Sequence, residues 1–228
     1  MAKVSAGSYD LNKWLYGGYE SGVISVIYGS PGSGKTNFCL QAAVSQAKKG
    51  NKVIYLDTEG GFSSDRVKQL VGEKYKEALE NIFLLSPVNF SEQEEMFSNL
   101  LKYVKEGVSL IIVDGMTMLY RLDFADAKEQ DLESMRKVNS VLAKQMRVLA
   151  EISRKKEIPV IVTNQIYKWE GGTKMVGGDI LQYWGKCLIE LTRDGNKRSA
   201  HLRKHRSLGE KSLPFFISDV GIKKRGWL

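Results

Sequence analysis

The stretch Gly29-Ser30-Pro31-Gly32-Ser33-Gly34-Lys35-Thr36 constrains this chain more than any other. It satisfies every fixed position of the phosphate-binding spacing G-x-x-x-x-G-K-[ST], a loop that works only between a strand and a helix. Both flanks are present: Val23 to Tyr28 is a mostly apolar run suited to a buried strand, and Asn37 to Lys49 has helical apolar spacing through Phe38, Leu40, Ala42 and Val44. Glycines let the backbone turn its N–H groups toward a phosphate. Lys35 brings a point charge, and the Thr36 hydroxyl is suited to Mg²⁺ at the positive end of the helix. The expected nucleotide contacts are therefore Gly29, Ser30, Pro31, Gly32, Ser33, Gly34, Lys35, Thr36 and Asn37.

The rest of the chain supplies a sheet around this loop. Val53 to Leu56 reads as a second buried strand ending in Asp57-Thr58-Glu59-Gly60-Gly61, followed by a helix from Ser63 to about Lys76 and an apolar run Ile82 to Leu85. Ser91 to Glu94 has capping-box spacing and opens a helix to about Lys105. Leu110 to Val113 is an uninterrupted apolar run that delivers Asp114, as a central parallel strand would. A long helical stripe covers Lys128 to Lys156, and Val160 to Gln165 is another strand ending in polar groups. Ile166 to Gly178, rich in glycine, reads as a mobile loop, and antiparallel strands follow over Cys187 to Thr192, Ala200 to Lys204 and Phe215 to Ser218. The expectation is an α/β fold: a mostly parallel central sheet flanked by helices, with a C-terminal antiparallel β extension, in a single domain over residues 1–228.

Polar residues at the carboxyl ends of such strands are where open α/β sheets place their chemistry. Asp114 is suited to hold Mg²⁺ together with Thr36, and Glu59 to orient an attacking water. Gln165 cannot act as a base, but its amide can hydrogen-bond a γ-phosphate and pass nucleotide state to the following loop. A formal charge of +8, concentrated late in the chain from Lys197 to Arg225, fits a polyanion partner. With two Cys and two His residues, neither a disulfide framework nor a structural zinc site is expected. The N-terminus lacks the apolar run of a secretory signal and no segment reaches the ~18 apolar residues of a membrane span, so a cytoplasmic location away from membranes is expected.

The P-loop, Tyr55-Leu56-Asp57-Thr58-Glu59-Gly60-Gly61-Phe62, Val113-Asp114 and Thr163-Asn164-Gln165, in this order and spacing, resemble the ATPase core of the RecA/RadA recombinase family. The chain begins directly at that core, without the family's N-terminal helical DNA-binding domain, and resembles most its short archaeal paralogues. The resemblance implies ATP with Mg²⁺, with Lys35, Glu59 and Gln165 in catalytic roles and Arg66 stacked on the adenine. It places a first DNA loop from Arg121 to about Gln130 and a second from Ile166 to Val176. Arg121, Lys168, Trp169 and Lys174 are then the expected DNA contacts, by charge and base stacking; packing against a neighbouring loop is the alternative for Trp169. Lys204 and Arg206 match a K-x-R pair that reaches the next protomer's γ-phosphate in related ATPases, or else form a basic β surface. Asp123, Asp126 and Glu129 stand where strand-exchanging relatives carry Gly and Arg, and acidic residues repel phosphate. The expected role is an ATP-binding, DNA-binding accessory of recombination and repair, with weak hydrolysis and no strand exchange. Its partners would be single-stranded or branched DNA and a RadA-type recombinase or junction-processing nuclease, with self-assembly. The alternative is a RecA-like switch ATPase acting through protein partners without DNA.

Overall fold

A computed structural model describes residues 2–169 and 172–226. Before the P-loop, β1 (Lys3–Val4) pairs antiparallel with β2 (Tyr19–Glu20) around α1 (Tyr9–Trp14). The core then alternates: β3 (Ile24–Gly29), α2 (Lys35–Ala47), β4 (Lys52–Asp57), α3 (Ser64–Val71), α4 (Tyr75–Glu80), β5 (Ile82–Leu85), α5 (Phe90–Tyr103), β6 (Val108–Asp114), α6 (Met118–Gln130), α7 (Leu132–Lys156) and β7 (Val160–Trp169). The last part comprises β8 (Gly172–Met175), α8 (Gly178–Trp184), β9 (Gly185–Asp194), β10 (Lys197–Lys204), β11 (Lys211–Ser218) and β12 (Gly221–Lys224).

The main sheet has the order β12-β11-β10-β9-β3-β7-β6-β4-β5, with β8 paired to β7. From β9 to β5 the neighbours are parallel, and from β9 to β12 antiparallel, which is the expected architecture. Strand periodicity explains why the central runs are apolar at every position. Val53, Tyr55, Leu110, Ile112 and Ile161 enter one core with α2, while Ile54, Leu56, Ile111, Val113, Val160 and Val162 enter a second core with α5 and α7. Truncating one of these Leu or Ile side chains to Ala would cost ~2–5 kcal/mol.

Several boundaries differ from the sequence expectations, each for a local reason. Helix α5 is capped by Asn89, not by the Ser91 box: the Asn89 Oδ1 accepts from Glu92 N at 2.8 Å, and Glu92 Oε2 accepts from Val88 N at 3.0 Å. The box lies two residues earlier in a variant form, with Glu92 reaching back to the N–H just before the cap and to the Asn89 side-chain amide, because Asn-x-x-Glu serves as well as Ser-x-x-Glu. Gly72, at φ 79°, divides the helix expected from Ser63 to Lys76. The stripe from Lys128 to Lys156 is likewise two helices, since Asp131 is extended, ends α6 and caps α7 through Ser134 N at 2.7 Å. The segment from Arg121 to Gln130, expected as a loop, is the body of α6. Ile166 to Gly178 is no simple loop either: Ile166 pairs with Met175 and Trp169 with Gly172 in a β7–β8 hairpin.

Candidate nucleotide site

Parallel register brings the strand ends together. Gly29 at the end of β3 lies opposite Gln165 of β7, and Asp57 of β4 opposite Asp114 of β6. Gly29 also presses against β9, where an added Cβ would stand 2.2 Å from Leu191 O, so only glycine fits at this turn into the loop. Gly34 occupies the cap of α2 at φ 112° with no side-chain cap, leaving the first-turn N–H groups available to an anion. Lys35 is 7% exposed and its ammonium donates to Gly29 O at 3.1 Å and Ser30 O at 3.2 Å. Burial pushes its pKa down, while Glu59 and Asp114 act in the opposite direction. The buried Ser33 hydroxyl has no hydrogen-bond partner among the described residues. An unsatisfied buried hydroxyl, open helix-terminal amides and a lysine resting on loop carbonyls together fit a phosphate chain.

The groups suited to a metal and a water lie beside this cradle. Asp114, 2% exposed, accepts from the Thr163 hydroxyl at 2.7 Å and from the Tyr55 hydroxyl at 2.8 Å, and Thr36 also bonds to it. Burial raises its pKa, and these hydroxyl donors oppose that shift. Thr36 and Asp114 are thus adjacent, which suits Mg²⁺ bound by one or two protein groups plus phosphate and water. Glu59 Oε1 accepts from Gln165 Nε2 at 3.1 Å, so the two residues are in direct contact. Sequence reasoning missed what places Glu59. Asp57 Oδ1 accepts from Glu59 N at 3.2 Å and Gly61 N at 3.1 Å, and its Oδ2 from Phe62 N at 2.8 Å. Its signal was an Asp followed closely by Gly-Gly, a pattern in which a carboxylate folds the chain around itself. Gly115, at φ 95°, forms the other wall; a Cβ there would lie 2.4 Å from Thr58 Oγ1 and 2.7 Å from Glu59 Cγ.

The remaining candidates divide. Arg66 donates to Asn37 Oδ1 at 3.0 Å and to Ser218 O at 2.8 Å, tying α3 to α2 and to the β11–β12 turn. Asn37 is therefore engaged by Arg66 in this structure. Gln165 connects onward, since Val176 N donates to its carbonyl at 3.1 Å, and Asn164 Nδ2 donates to Val176 O at 2.8 Å. The hairpin overhangs a cleft of about 730 Å³ lined in part by Tyr28, Tyr120, Phe124, Tyr167 and Lys174. Lys174 is exposed on β8 and Arg121 is exposed on α6; the side chains of Lys168 and Trp169 lie outside the described residues. Lys204 donates to Gln182 O at 3.0 Å and Gly185 O at 2.9 Å, and Arg206 pairs with Glu20 Oε2 at 2.6 Å, so both make contacts within this chain.

Comparison with known proteins agrees with this geometry. The Rad51 family model matches residues 1–225. The "DNA repair and recombination protein RadB" of Methanobrevibacter smithii is 42% identical over 223 residues, covering 93% of this chain and 92% of its own length. The protein of the same name from Methanocaldococcus jannaschii is 37% identical over 213 residues, covering 93% of this chain and 98% of its own. A solved structure, "Crystal structure of the RadB recombinase", superposes with a TM-score of 0.81 at 34% identity over 98% of this chain and 100% of that one. On these matches, with the P-loop and strand-end carboxylates in register, the chain belongs to the Rad51 family.

Proposed function

We propose that this protein is an ATP-binding and DNA-binding accessory factor of homologous recombination and DNA repair, with weak hydrolysis and no strand exchange of its own. The observation that carries the reading is the Gln165–Glu59 hydrogen bond beside the P-loop, continued through Val176 into the β7–β8 hairpin. Names of the RadB relatives support the biological setting.

In this reading Lys35, Thr36 and the loop amides hold the triphosphate, and Thr36 with Asp114 holds Mg²⁺. When bound, Mg²⁺ supplies neutralisation of the charge on the phosphate oxygens. Glu59 orients water for attack, and Gln165 exchanges its bond to Glu59 for one to the terminal phosphate. That exchange pulls on the Gln165 carbonyl and moves the hairpin, which carries Lys168, Trp169 and Lys174 toward single-stranded or branched DNA. Without nucleotide Glu59 is engaged by Gln165, and the triphosphate frees it to orient water. Strand exchange is absent because the first DNA loop is here the α6 helix, with Asp123 and Asp126 raising negative charge against phosphate. On self-assembly, Lys204 and Arg206 leave their carbonyl and carboxylate partners for the neighbouring protomer's site. A RadA-type recombinase or a junction nuclease is the partner class, and the setting is the cytoplasm.

The test is ATP turnover with and without single-stranded DNA at several protein concentrations, with Lys35→Ala as control. Slow turnover that responds to DNA and is lost in Lys35→Ala is expected; a Lys35→Ala protein that binds ATP as well as wild type would end this reading. The acidic α6 favours a second reading, a switch ATPase that works through protein partners. That reading gains if single-stranded DNA does not bind at low salt or if Lys168 and Lys174 substitutions leave binding unchanged.

A further inference from the structure

The β9–β10 hairpin places two arginines where an ordinary sheet would avoid them. Arg193 of β9 and Arg198 of β10 are directly paired across the strands, so their side chains share one face, and like charges in that arrangement repel. The same row continues to Phe215 of β11. Phe215 is buried against Phe38 of α2, and both Phe215 and Ile217 approach Gly34, so this is the face turned toward the P-loop. Arg193 reaches the loop itself: a Cβ on Gly32, which is at φ 71°, would stand 2.9 Å from Arg193 Nη1.

Neither arginine is neutralised. Neither forms an ion pair among the described residues. Arg193 uses only Nε, toward Gly195 O at 3.0 Å. Arg198 Nε is buried without a hydrogen-bond partner among the described residues. The buried Arg198 nitrogen without a partner is costly, Arg193 is exposed to solvent, and an anion held by Arg193 would offset the repulsion between the two facing charges. Guanidinium groups match phosphate oxygens in a planar, two-pronged geometry.

We propose that Arg193 and Arg198 form a second anion contact of the nucleotide site, on the side of the P-loop opposite Glu59 and Asp114. Arg193 touches the terminal phosphates of a nucleoside triphosphate, and Arg198 positions it. The pair belongs to the same chain as the P-loop, so it senses the triphosphate without a neighbouring protomer. Gly32 sits at φ 71°, where a side chain is strained, and its bare Cα lets the Arg193 guanidinium lie against the loop without having to shift. This inference rests on the nucleotide-binding reading above.

The test measures Mg-ATP and Mg-ADP binding by calorimetry for wild type, Arg193→Gln, Arg193→Lys, Arg198→Gln and Lys35→Ala, with thermal unfolding of each without nucleotide. Arg193→Gln should weaken ATP by about tenfold or more and ADP by no more than about threefold, with Arg193→Lys between. Nucleotide-free Arg193→Gln should melt no lower than wild type, because removing one of two facing charges relieves repulsion. Inorganic tripolyphosphate should raise the melting temperature of wild type more than that of Arg193→Gln. Equal loss of ATP and ADP affinity, or unchanged ATP affinity, overturns the assignment. If Lys35→Ala abolishes binding while Arg193→Gln does not alter it, only this inference falls; if wild type binds no nucleotide, the site reading falls with it. Arg198→Gln guards against misfolding of a single variant, since it too should shift ATP more than ADP.

Discussion

Replacing Asp57 by Ala should unfold the turn that places Glu59 while leaving every other strand-end residue in position. The Asp57 carboxylate, 4% exposed, accepts three backbone N–H groups at 2.8 to 3.2 Å, from Glu59, Gly61 and Phe62. A hydrogen bond to a charged group contributes about 1.5–3 kcal/mol, so simple addition would give several kcal/mol. Addition overstates the loss, because Glu59 and Gly61 lie at the surface and water can take their N–H groups once the carboxylate is gone. A net destabilisation of roughly 2–4 kcal/mol follows, which for a domain of this size lowers the melting temperature by on the order of 10 °C. The functional effect should exceed the stability effect, since an error of ~1 Å at a catalytic group can cost ~10²-fold in rate. The assay is ATP turnover well below the variant's melting temperature, beside nucleotide affinity and thermal unfolding. Asp57→Asn keeps one side-chain oxygen and should fall between wild type and Ala in both readings. If Asp57→Ala melted within about 2 °C of wild type and hydrolysed ATP within about twofold of it, the placement of Glu59 by this carboxylate would be refuted.

Three further outcomes are expected. Burial raises the Asp114 pKa above its unfolded value, so its contribution is fully present below the unfolded carboxyl range and is lost as pH rises through the folded pKa. Nucleotide-free Asp114→Asn should therefore lack that decline when unfolding is followed from about pH 4 to neutrality, and should also lose Mg²⁺-dependent stabilisation by ATP. Gln165→Ala should leave ATP affinity within a few-fold of wild type but abolish the dependence of single-stranded DNA binding on nucleotide, measured by fluorescence anisotropy. Asn89→Ala removes the α5 cap and should cost about 1 kcal/mol in denaturant unfolding with no effect on turnover, since α5 packs on α6 and α7 in the second core whereas the P-loop leads into α2 of the first.

What was legible in the sequence was what a single residue run can encode. Leu110-Ile111-Ile112-Val113-Asp114 states in its own composition that it is a covered strand with a carboxylate at its end, and the P-loop states its flanks. Helix boundaries were less legible because competing caps sit close together. Ser91 and Asn89 both precede an acidic residue at a usable spacing, and the geometry of Val88 selects Asn89. The segment from Arg121 to Gln130 contains no glycine or proline, and its own propensity is helical; assigning it as a loop set a family expectation above that propensity. Conversely, the glycines between Ile166 and Gly178 concealed a hairpin, because Ile166 and Tyr167 continue β7 and the turn lies at its tip.

The parts of the site that escaped sequence reasoning are those set by register between distant segments. Asp57 and Asp114 end strands that are adjacent, so two carboxylates stand side by side, yet they do opposite work. Asp57 turns inward on its own loop's amides and is consumed by structure, whereas Asp114 is held by hydroxyls from Thr163, Tyr55 and Thr36. Hydroxyl donors can rotate away from a carboxylate, but backbone amides fixed in a turn cannot. Asp114 can therefore give up Thr36 to a shared cation at little cost, and Asp57 cannot. The decisive residue is Thr163, whose hydroxyl donates to Asp114 and accepts from Gly115 N at 2.7 Å, coupling the Asp114 carboxylate to the glycine wall beside Glu59. Thr163→Val should therefore weaken Mg²⁺-dependent nucleotide binding and also lower turnover at saturating Mg-ATP, whereas a role confined to Asp114 would weaken binding and leave saturated turnover near wild type, so the two measurements together decide whether the Asp114 and Glu59 halves of the site act as one.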